Sequence, residues 1–492
     1  MQVSSQYQAF DEGVYSTRRA FVGGAWLEGE PTLPAMDPST GEAFQLLAVS
    51  GESDVALACD AAERAFGPWR AMGGHKRAGF LRAIAAGLAA RQGRLVQQIM
   101  RNIGKPRGDA ELDLADTIAC FEYYADLADN FDSHQVRAVA LSDDTLFGET
   151  RLEPYGPAAL IIAWNFPLVT TAWKLAPALA VGCTAVLKPS EFAALPELVF
   201  GEIAQEIGLA AGVLNIVVGD GQIGADLCRN PKIRKISFTG SNTTGQKVMA
   251  IAAERIVPVS LELGGKSPII VLEDADIEDA VRIIASGIFA NAGQVCSATS
   301  RLIVAEAIAD PLLERLVQTA EQIVIDGPCN PAATMGPIVT RAQRDKVAAY
   351  FAIAAEEGLK PSAGGRVLND RPGYFVMPTI YADVPVDSRL WRDEIFGPVL
   401  AVRRAASDEE AIELANDSVF GLAATVVGTD PDRLARIADA LVAGHVWINT
   451  GQLIFPNTAW GGMKSSGIGR ELGPWGLFAY GAVKHLTRRV GG

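Results

Sequence analysis

The chain has 492 residues, too many for one hydrophobic core, so two or three domains are expected. Hydrophobic residues make up 49% of it, ample for those cores, and a formal net charge of −14 argues against nucleic acid or an anionic membrane as the main partner. The longest apolar run, Leu175 to Leu187, is too short to span a bilayer and contains Pro177 and Gly182.

The N-terminus is polar and acidic, without a signal-peptide pattern. Residues 53–130 read as helical, with apolar positions at helical spacing in Arg82 to Met100 and Leu112 to Leu127. The polar, β-prone stretch from Gln135 to Pro154 reads as a hairpin. From Ala158 short apolar runs alternate with helices: strands at Ala159–Ala163, Thr184–Leu187, Val213–Val218 and Ile233–Phe238, helices at Thr170–Val181 and Leu195–Gly208. Such alternation with non-alternating strands predicts a parallel α/β sheet. A second alternating region runs from about Lys266 to Val446, with strands near Pro268–Val271 and Arg301–Val304. The six cysteines are scattered, with no C-x-x-C pair, so reduced thiols in a cytoplasmic protein are expected and a metal site is not.

Two loops compete for a dinucleotide. Gly219-Asp220-Gly221-Gln222-Ile223-Gly224 fits the G-x-G-x-x-G spacing, but no Asp or Glu stands between Leu227 and Ala253, where the fingerprint expects one. It reads better as a tight strand-to-helix turn. Phe238-Thr239-Gly240-Ser241-Asn242-Thr243-Thr244-Gly245 follows a strand and opens a helix, where free N–H groups and the Ser241 hydroxyl would meet an anion. Lys188-Pro189-Ser190-Glu191 ends another strand, and a carboxylate there suits a ribose diol and repels a 2′-phosphate. Downstream, Glu262 stands beside Gly264-Gly265, and Cys296 follows a glycine-containing turn, Asn291-Ala292-Gly293. A thiol reachable on a turn, with a carboxylate base, suits covalent attack on a carbonyl.

In this order, from Phe21-Val22-Gly23-Gly24 to Gly469-Arg470-Glu471, the motifs resemble the aldehyde dehydrogenase superfamily over nearly the whole chain. The resemblance implies an α/β fold with a Rossmann-type cofactor domain (1–130 and 155–262), an α/β catalytic domain (263–466) and an oligomerisation element (131–154 and 467–492). It implies NAD as cofactor, contacted by Ile162, Trp164, Lys188, Ser190, Glu191, Gly240, Ser241, Gly245, Leu263, Glu394 and Phe396. Cys296 would be the nucleophile and Glu262 the base that activates water. Asn165 would stabilise the oxyanion together with the Cys296 N–H, while Lys174 and Glu471 would pass protons outward. A homodimer or homotetramer is implied as well. Relatives that transfer the acyl group to coenzyme A usually lack the glutamate, so water is the expected acceptor.

Within the superfamily, Cys296-Ser297-Ala298-Thr299-Ser300-Arg301, Cys120-Phe121-Glu122-Tyr123-Tyr124-Ala125-Asp126-Leu127 and Trp460-Gly461-Gly462 are similar to betaine-aldehyde and aminoaldehyde dehydrogenases. Phe166, Trp173 and Trp460 match an aromatic tunnel that attracts a cationic end. Asp113 and Asp116, i and i+3 on one helix face, match an acidic pair at its mouth. Two positions depart from that group. Ala290 replaces a usual Trp and widens the tunnel. His445 stands where residue size decides whether trimethylammonium groups enter, and it would crowd such a head. An ω-amino or ω-guanidino aldehyde is therefore the expected substrate, with betaine aldehyde or a neutral aliphatic or aromatic aldehyde as the alternatives. A non-redox thiol hydrolase is disfavoured by the nucleotide motifs. A structural protein would have no need of Cys296, Glu262 and Asn165.

Overall fold

A computed structural model describes residues 17–131 and 136–490. The N-terminal stretch read as lacking a signal peptide, Gln135 of the expected hairpin and the final Gly491-Gly492 lie outside the described residues.

The long helical region resolves into four helices, Glu52–Ala71, Gly74–Ala89, Gln92–Ile103 and Arg107–Asp129. Gly104 ends the third at φ +81°, and Pro106 precedes the fourth. This left-handed turn, for which glycine is suited, directs the intervening Lys105 into the interior, where only 1% of its surface remains exposed.

Next comes an eight-stranded sheet in the order Ala25–Glu28, Arg18–Val22, Leu214–Val217, Ala185–Lys188, Ala158–Ile161, Lys235–Thr239, Val259–Glu262, Gly467–Ile468. The five strands from Leu214–Val217 to Val259–Glu262 run parallel. Numbered along the chain from Ala158, they stand in the order 3-2-1-4-5. The direction of winding therefore reverses between Ala158–Ile161 and Lys235–Thr239, and a crevice opens at the carboxyl ends of such strands. Strands buried on both faces need apolar runs, and Ala-Ala-Leu-Ile supplies one, while in Leu-Asn-Ile-Val the buried Asn215 amide is satisfied by the Ala185 and Gly212 carbonyls at 3.2 and 2.8 Å. The flanking strands at residues 18–28 are antiparallel additions that the sequence reading did not anticipate.

A seven-stranded sheet follows: Pro361–Ala363, Thr379–Tyr381, Val399–Ala405, Arg301–Ala305, Pro268–Val271, Ala423–Val427, His445–Ile448. It is parallel apart from its first edge strand. Each large sheet has its own apolar core.

A third, antiparallel sheet pairs Arg137–Val139 and Gly481–Arg489 on either side of Leu146–Pro154. The tail that the resemblance assigned to oligomerisation is thus divided. Gly467–Ile468 joins the first sheet, helix Gly473–Phe478 packs on helix Pro167–Val181, and only the last strand reaches the hairpin.

Candidate active site

A cavity of about 350 Å³ opens where the loops after Ala158–Ile161 and Lys235–Thr239 face the second sheet. Its walls include Trp164, Asn165, Phe166, Trp173, Gly240, Ser241, Glu262, Leu263, Cys296, Glu394, Phe396 and Trp460. The chain therefore brings the expected nucleophile, base and oxyanion donor together from three distant segments.

Cys296 reaches the cavity because helix Ile277–Phe289 stops abruptly. Asn291, Ala292 and Gly293 all take positive φ, and a Cβ on Gly293 would collide with the Gly397 backbone. The reversed chain then delivers Val295 and Cys296 to the wall. Burial, then the nearby Glu262 and Glu394 charges, push the Cys296 thiol up to about 12, so it rests as a thiol. Glu262 ends strand Val259–Glu262 and is 5% exposed. Both its carboxylate oxygens lack a hydrogen-bond partner among the described residues. Burial, reinforced by Glu471, raises it well above the usual carboxylate range against the pull of Lys174 and Arg470. An unpaired, proton-hungry carboxylate is what a base needs.

Asn165 donates one amide hydrogen to the Gln294 carbonyl at 3.0 Å. Asn291 Nδ2 in turn donates to the Asn165 and Gln294 carbonyls at 3.3 and 3.2 Å. This clamp fixes the Asn165 amide and leaves its second N–H for an oxyanion. The clamp residue Gln294 escaped the sequence reading because it works through backbone contacts that no motif announces.

The crevice suits a dinucleotide. Helix Asn242–Ala253 begins at Ser241, whose hydroxyl accepts from the Thr244 N–H at 3.3 Å. That hydroxyl therefore also caps the helix, beside first-turn N–H groups of the kind that suit an anion. Asn242 Oδ1 accepts from Gly264 N at 3.0 Å and ties this helix to the Glu262 loop. Gly245 lets Leu263 pack closely, since a Cβ there would strike it. Ile162 continues the strand ladder, its N–H donating to the Lys188 carbonyl at 3.1 Å. Lys188, Ser190 and Glu191 stand at the adjacent strand end, with Lys188 Nζ 3.4 Å from Glu191. Glu394 accepts from Gly265 N at 3.0 Å, and Trp164 and Phe396 meet edge to face at 5.4 Å. No residue of the Gly219–Gly224 loop lines the cavity; Asp220 caps helix Gly221–Arg229.

At the other end, helix Arg107–Asp129 presents Asp109, Leu112, Asp113 and Asp116 to the cavity. Leu112 is 61% exposed, which marks this face as the mouth. The expected acidic pair is corrected here. Asp113 is buried and 2.6 Å from Lys105, while Asp116 and Asp109 have neither a hydrogen bond nor an ion pair among the described residues. Burial raises Asp113 and Asp116 to about 6, and both remain carboxylates at neutral pH. Phe166 also differs from expectation, since Lys105 Nζ lies 3.4 Å from its ring centroid. Trp173 and Trp460, with centroids 5.8 Å apart, form the remaining aromatic wall, and Ala290 lies open beside them. His445 does not line the cavity. Its ring packs 4.5 Å from Trp447 and 5.7 Å from Trp460, behind the wall it was expected to form. Lys174 and Glu471 also lie outside the wall, as a buried ion pair.

A doubly wound crevice, a cysteine and an unpaired buried carboxylate sharing one cavity define a dinucleotide-linked enzyme of the thiol class. The family model "Aldehyde dehydrogenase family" matches residues 26–486. Aminoaldehyde dehydrogenase 1, peroxisomal, of Pisum sativum is 46% identical over 482 residues, 96% of each chain. Betaine aldehyde dehydrogenase, chloroplastic, of Beta vulgaris is 43% identical over 483 residues, 96% of this chain and 97% of that protein. The solved betaine aldehyde dehydrogenase of Staphylococcus aureus in complex with NAD+ superposes with a TM-score of 0.94 at 34% identity, covering 96% of this chain and 95% of that one. The chain belongs to the aldehyde dehydrogenase family. It is an NAD-dependent enzyme that oxidises an aldehyde to its acid.

Proposed function

We propose that the chain oxidises ω-amino or ω-guanidino aldehydes to the corresponding acids. The observation that carries this reading is the pair of carboxylates, Asp109 and Asp116, that line the cavity mouth and make no ion pair among the described residues, the nearby Lys105 being paired with Asp113. A substrate cation gains an ion pair there and the Trp173–Trp460 wall behind it. The names of the Pisum and Beta relatives support the same substrate class. A trimethylammonium aldehyde is the second reading, favoured by the position of His445 behind Trp460, where it cannot crowd the head directly.

In this reading Glu262 takes the Cys296 proton, and the thiolate adds to the carbonyl carbon. The Asn165 amide and the Cys296 N–H stabilise the resulting oxyanion. Bound NAD supplies the acceptor for the hydride that leaves this carbon, with Lys188, Glu191 and Glu394 holding its riboses, the first-turn amides after Ser241 its pyrophosphate, and Phe396 its nicotinamide. A thioester on Cys296 remains. Glu262 gives the Cys296 proton up to the Lys174 and Glu471 pair and then takes one from water, which attacks the thioester carbon; the departing thiolate takes that second proton back from Glu262, and the acid is released.

The sheet formed by Leu146–Pro154 and Gly481–Arg489 is proposed to join subunits into a dimer or tetramer. Val483, Trp475 and Phe478, exposed around its last strand, support that role. A cytoplasmic location is proposed on the scattered cysteines, which form no C-x-x-C pair in the sequence.

The test is NADH formation across 3-aminopropanal, 4-aminobutanal, 4-guanidinobutanal, betaine aldehyde, hexanal and phenylacetaldehyde. A kcat/KM at least about tenfold higher for the cationic members, about 1.4 kcal/mol, is expected. A preference for hexanal or phenylacetaldehyde would overturn the substrate assignment.

A further inference from the structure

Cys296 sits in a turn that is held from outside. Ala298 N donates to the Val295 carbonyl at 3.1 Å, which closes the turn around Cys296 and Ser297. That bond leaves the carbonyl and the hydroxyl of the buried Ser297 to find partners elsewhere. Gln452 satisfies both. The Ser297 hydroxyl donates to Gln452 Oε1 at 2.6 Å, and Gln452 Nε2 donates back to the Ser297 carbonyl at 3.2 Å. The two residues come from segments 155 positions apart, and both line the cavity. An amide offers a donor and an acceptor side by side, which a glutamate or a methionine of similar length does not.

The backbone of Gln452 is strained where it makes this contact. Its φ is +58°, in the left-handed region that residues other than glycine seldom enter. Asn449, earlier in the same loop, is also left-handed at φ +54°. Asn449 Oδ1 accepts from Gly428 N at 3.0 Å, and Trp447 Nε1 donates to the Leu453 carbonyl at 2.9 Å. The loop after strand His445–Ile448 is thus pinned on both sides of Gln452. Such strain persists only where the surroundings over-determine it, and it gathers at functional sites.

Ser297 bears on the nucleophile through its main chain. Its N–H and that of Cys296 itself both favour the thiolate, whereas burial, Glu262 on strand Val259–Glu262 and Glu394 after helix Arg389–Arg392 oppose it. We propose that Gln452 is a positioning residue for the nucleophile: by gripping Ser297 at its hydroxyl and its carbonyl, it aims the Ser297 N–H at the Cys296 sulfur. The inference rests on the reading of Cys296 as the nucleophile. Two bonds to one residue, one through its side chain and one through its main chain, fix the rotation about its Cα. They therefore fix the direction of its N–H. When Glu262 takes the Cys296 proton, that N–H meets the negative sulfur without first having to reorient.

The test compares the wild type with Gln452→Met and Ser297→Ala, using Cys296→Ala as the blank. Gln452→Met keeps the length of the side chain and loses both bonds, while Ser297→Ala loses only the hydroxyl bond. The ultraviolet absorbance of the thiolate, taken against Cys296→Ala, should set in about one pH unit higher in Gln452→Met. Alkylation of Cys296 by iodoacetamide at neutral pH, and the first turnover of NADH, should each slow about tenfold in step with it. The Kd for NAD should stay at the wild-type value. Ser297→Ala should move the same readouts in the same direction by less. An unmoved thiolate onset in both variants would overturn the proposal, with or without a lowered Tm, because a purely structural contact changes Tm alone. If Gln452→Met does not fold, Ser297→Ala, which removes one oxygen, decides alone. Peptide mapping tells a failed grip from a failed nucleophile: NADH formed by Cys296→Ala, with iodoacetamide on another cysteine, would remove the reading beneath this one.

Discussion

The Lys105 ammonium stands 2.6 Å from Asp113 Oδ2 and 3.4 Å from the centre of the Phe166 ring. An internal cation thus occupies the seat that aromatic tunnels offer to a substrate, and it neutralises one of the two aspartates expected to greet that substrate. The two aspartates should part company when changed. Asp113→Asn leaves a buried charge without its partner, which costs about 3–5 kcal/mol, so a lowered Tm is the expected signature. Asp116→Asn should leave Tm unchanged and raise KM for 4-aminobutanal about tenfold, with hexanal unaffected. Thermal scans and kinetics that show the two variants behaving alike would remove this distinction.

Burial and a negative Glu262 together hold the Cys296 proton affinity high, whereas Glu262 itself is raised by burial and by Glu471. Glu262→Gln removes that negative neighbour. The pH midpoint for alkylation of Cys296 by iodoacetamide should therefore move down, not up. The same variant should form NADH for roughly one turnover and then stall at the thioester, while Cys296→Ala should form none. A midpoint that stays put would mean that the two groups do not sense each other.

Cys296 and Glu262 stood out in the sequence because each stands at a break in the fold, one after a helix end with glycine and one closing a strand before Gly264-Gly265. Asn165, before Phe166-Pro167, stood out only through the family resemblance. The parallel sheets were legible too, since strands buried on both faces need unbroken apolar runs. Lys105 was not legible, because the Gly104 turn and the packing of helix Arg107–Asp129 decide where its side chain goes. His445 was misread for a related reason: linear order cannot tell which of two stacked rings stands in front, and Trp460 does.

Glu191 bears on cofactor choice. Its carboxylate lies beside Lys188 at the end of a parallel strand, where it would accept bonds from a ribose diol and repel a 2′-phosphate. Glu191→Ala should lower kcat/KM with NAD and raise the relative use of NADP, so their ratio falls at least about tenfold. Steady-state kinetics with both dinucleotides would measure it. An unchanged ratio would take Glu191 out of the ribose site.

The Gly264-Gly265 pair offers a sharper separation of cofactor and thiol functions, because the two glycines touch different groups. A Cβ on Gly264 would collide with the Glu394 carboxylate, whereas one on Gly265 would press on the Cys296 carbonyl and on Leu422. Gly265 N also donates to Glu394 at 3.0 Å, so the loop is held between the two. Gly264→Ala should therefore displace Glu394 first. The apparent Kd for NAD, followed by quenching of tryptophan fluorescence, should rise about tenfold or more, while iodoacetamide still alkylates Cys296 at the wild-type rate. Gly265→Ala should act in the opposite order: it shifts the Cys296 loop, slows alkylation and lowers kcat at saturating NAD. Equal effects of both substitutions on NAD binding and on thiol reactivity would show that the loop moves as one body, and that the glycines do not divide the site between cofactor and nucleophile.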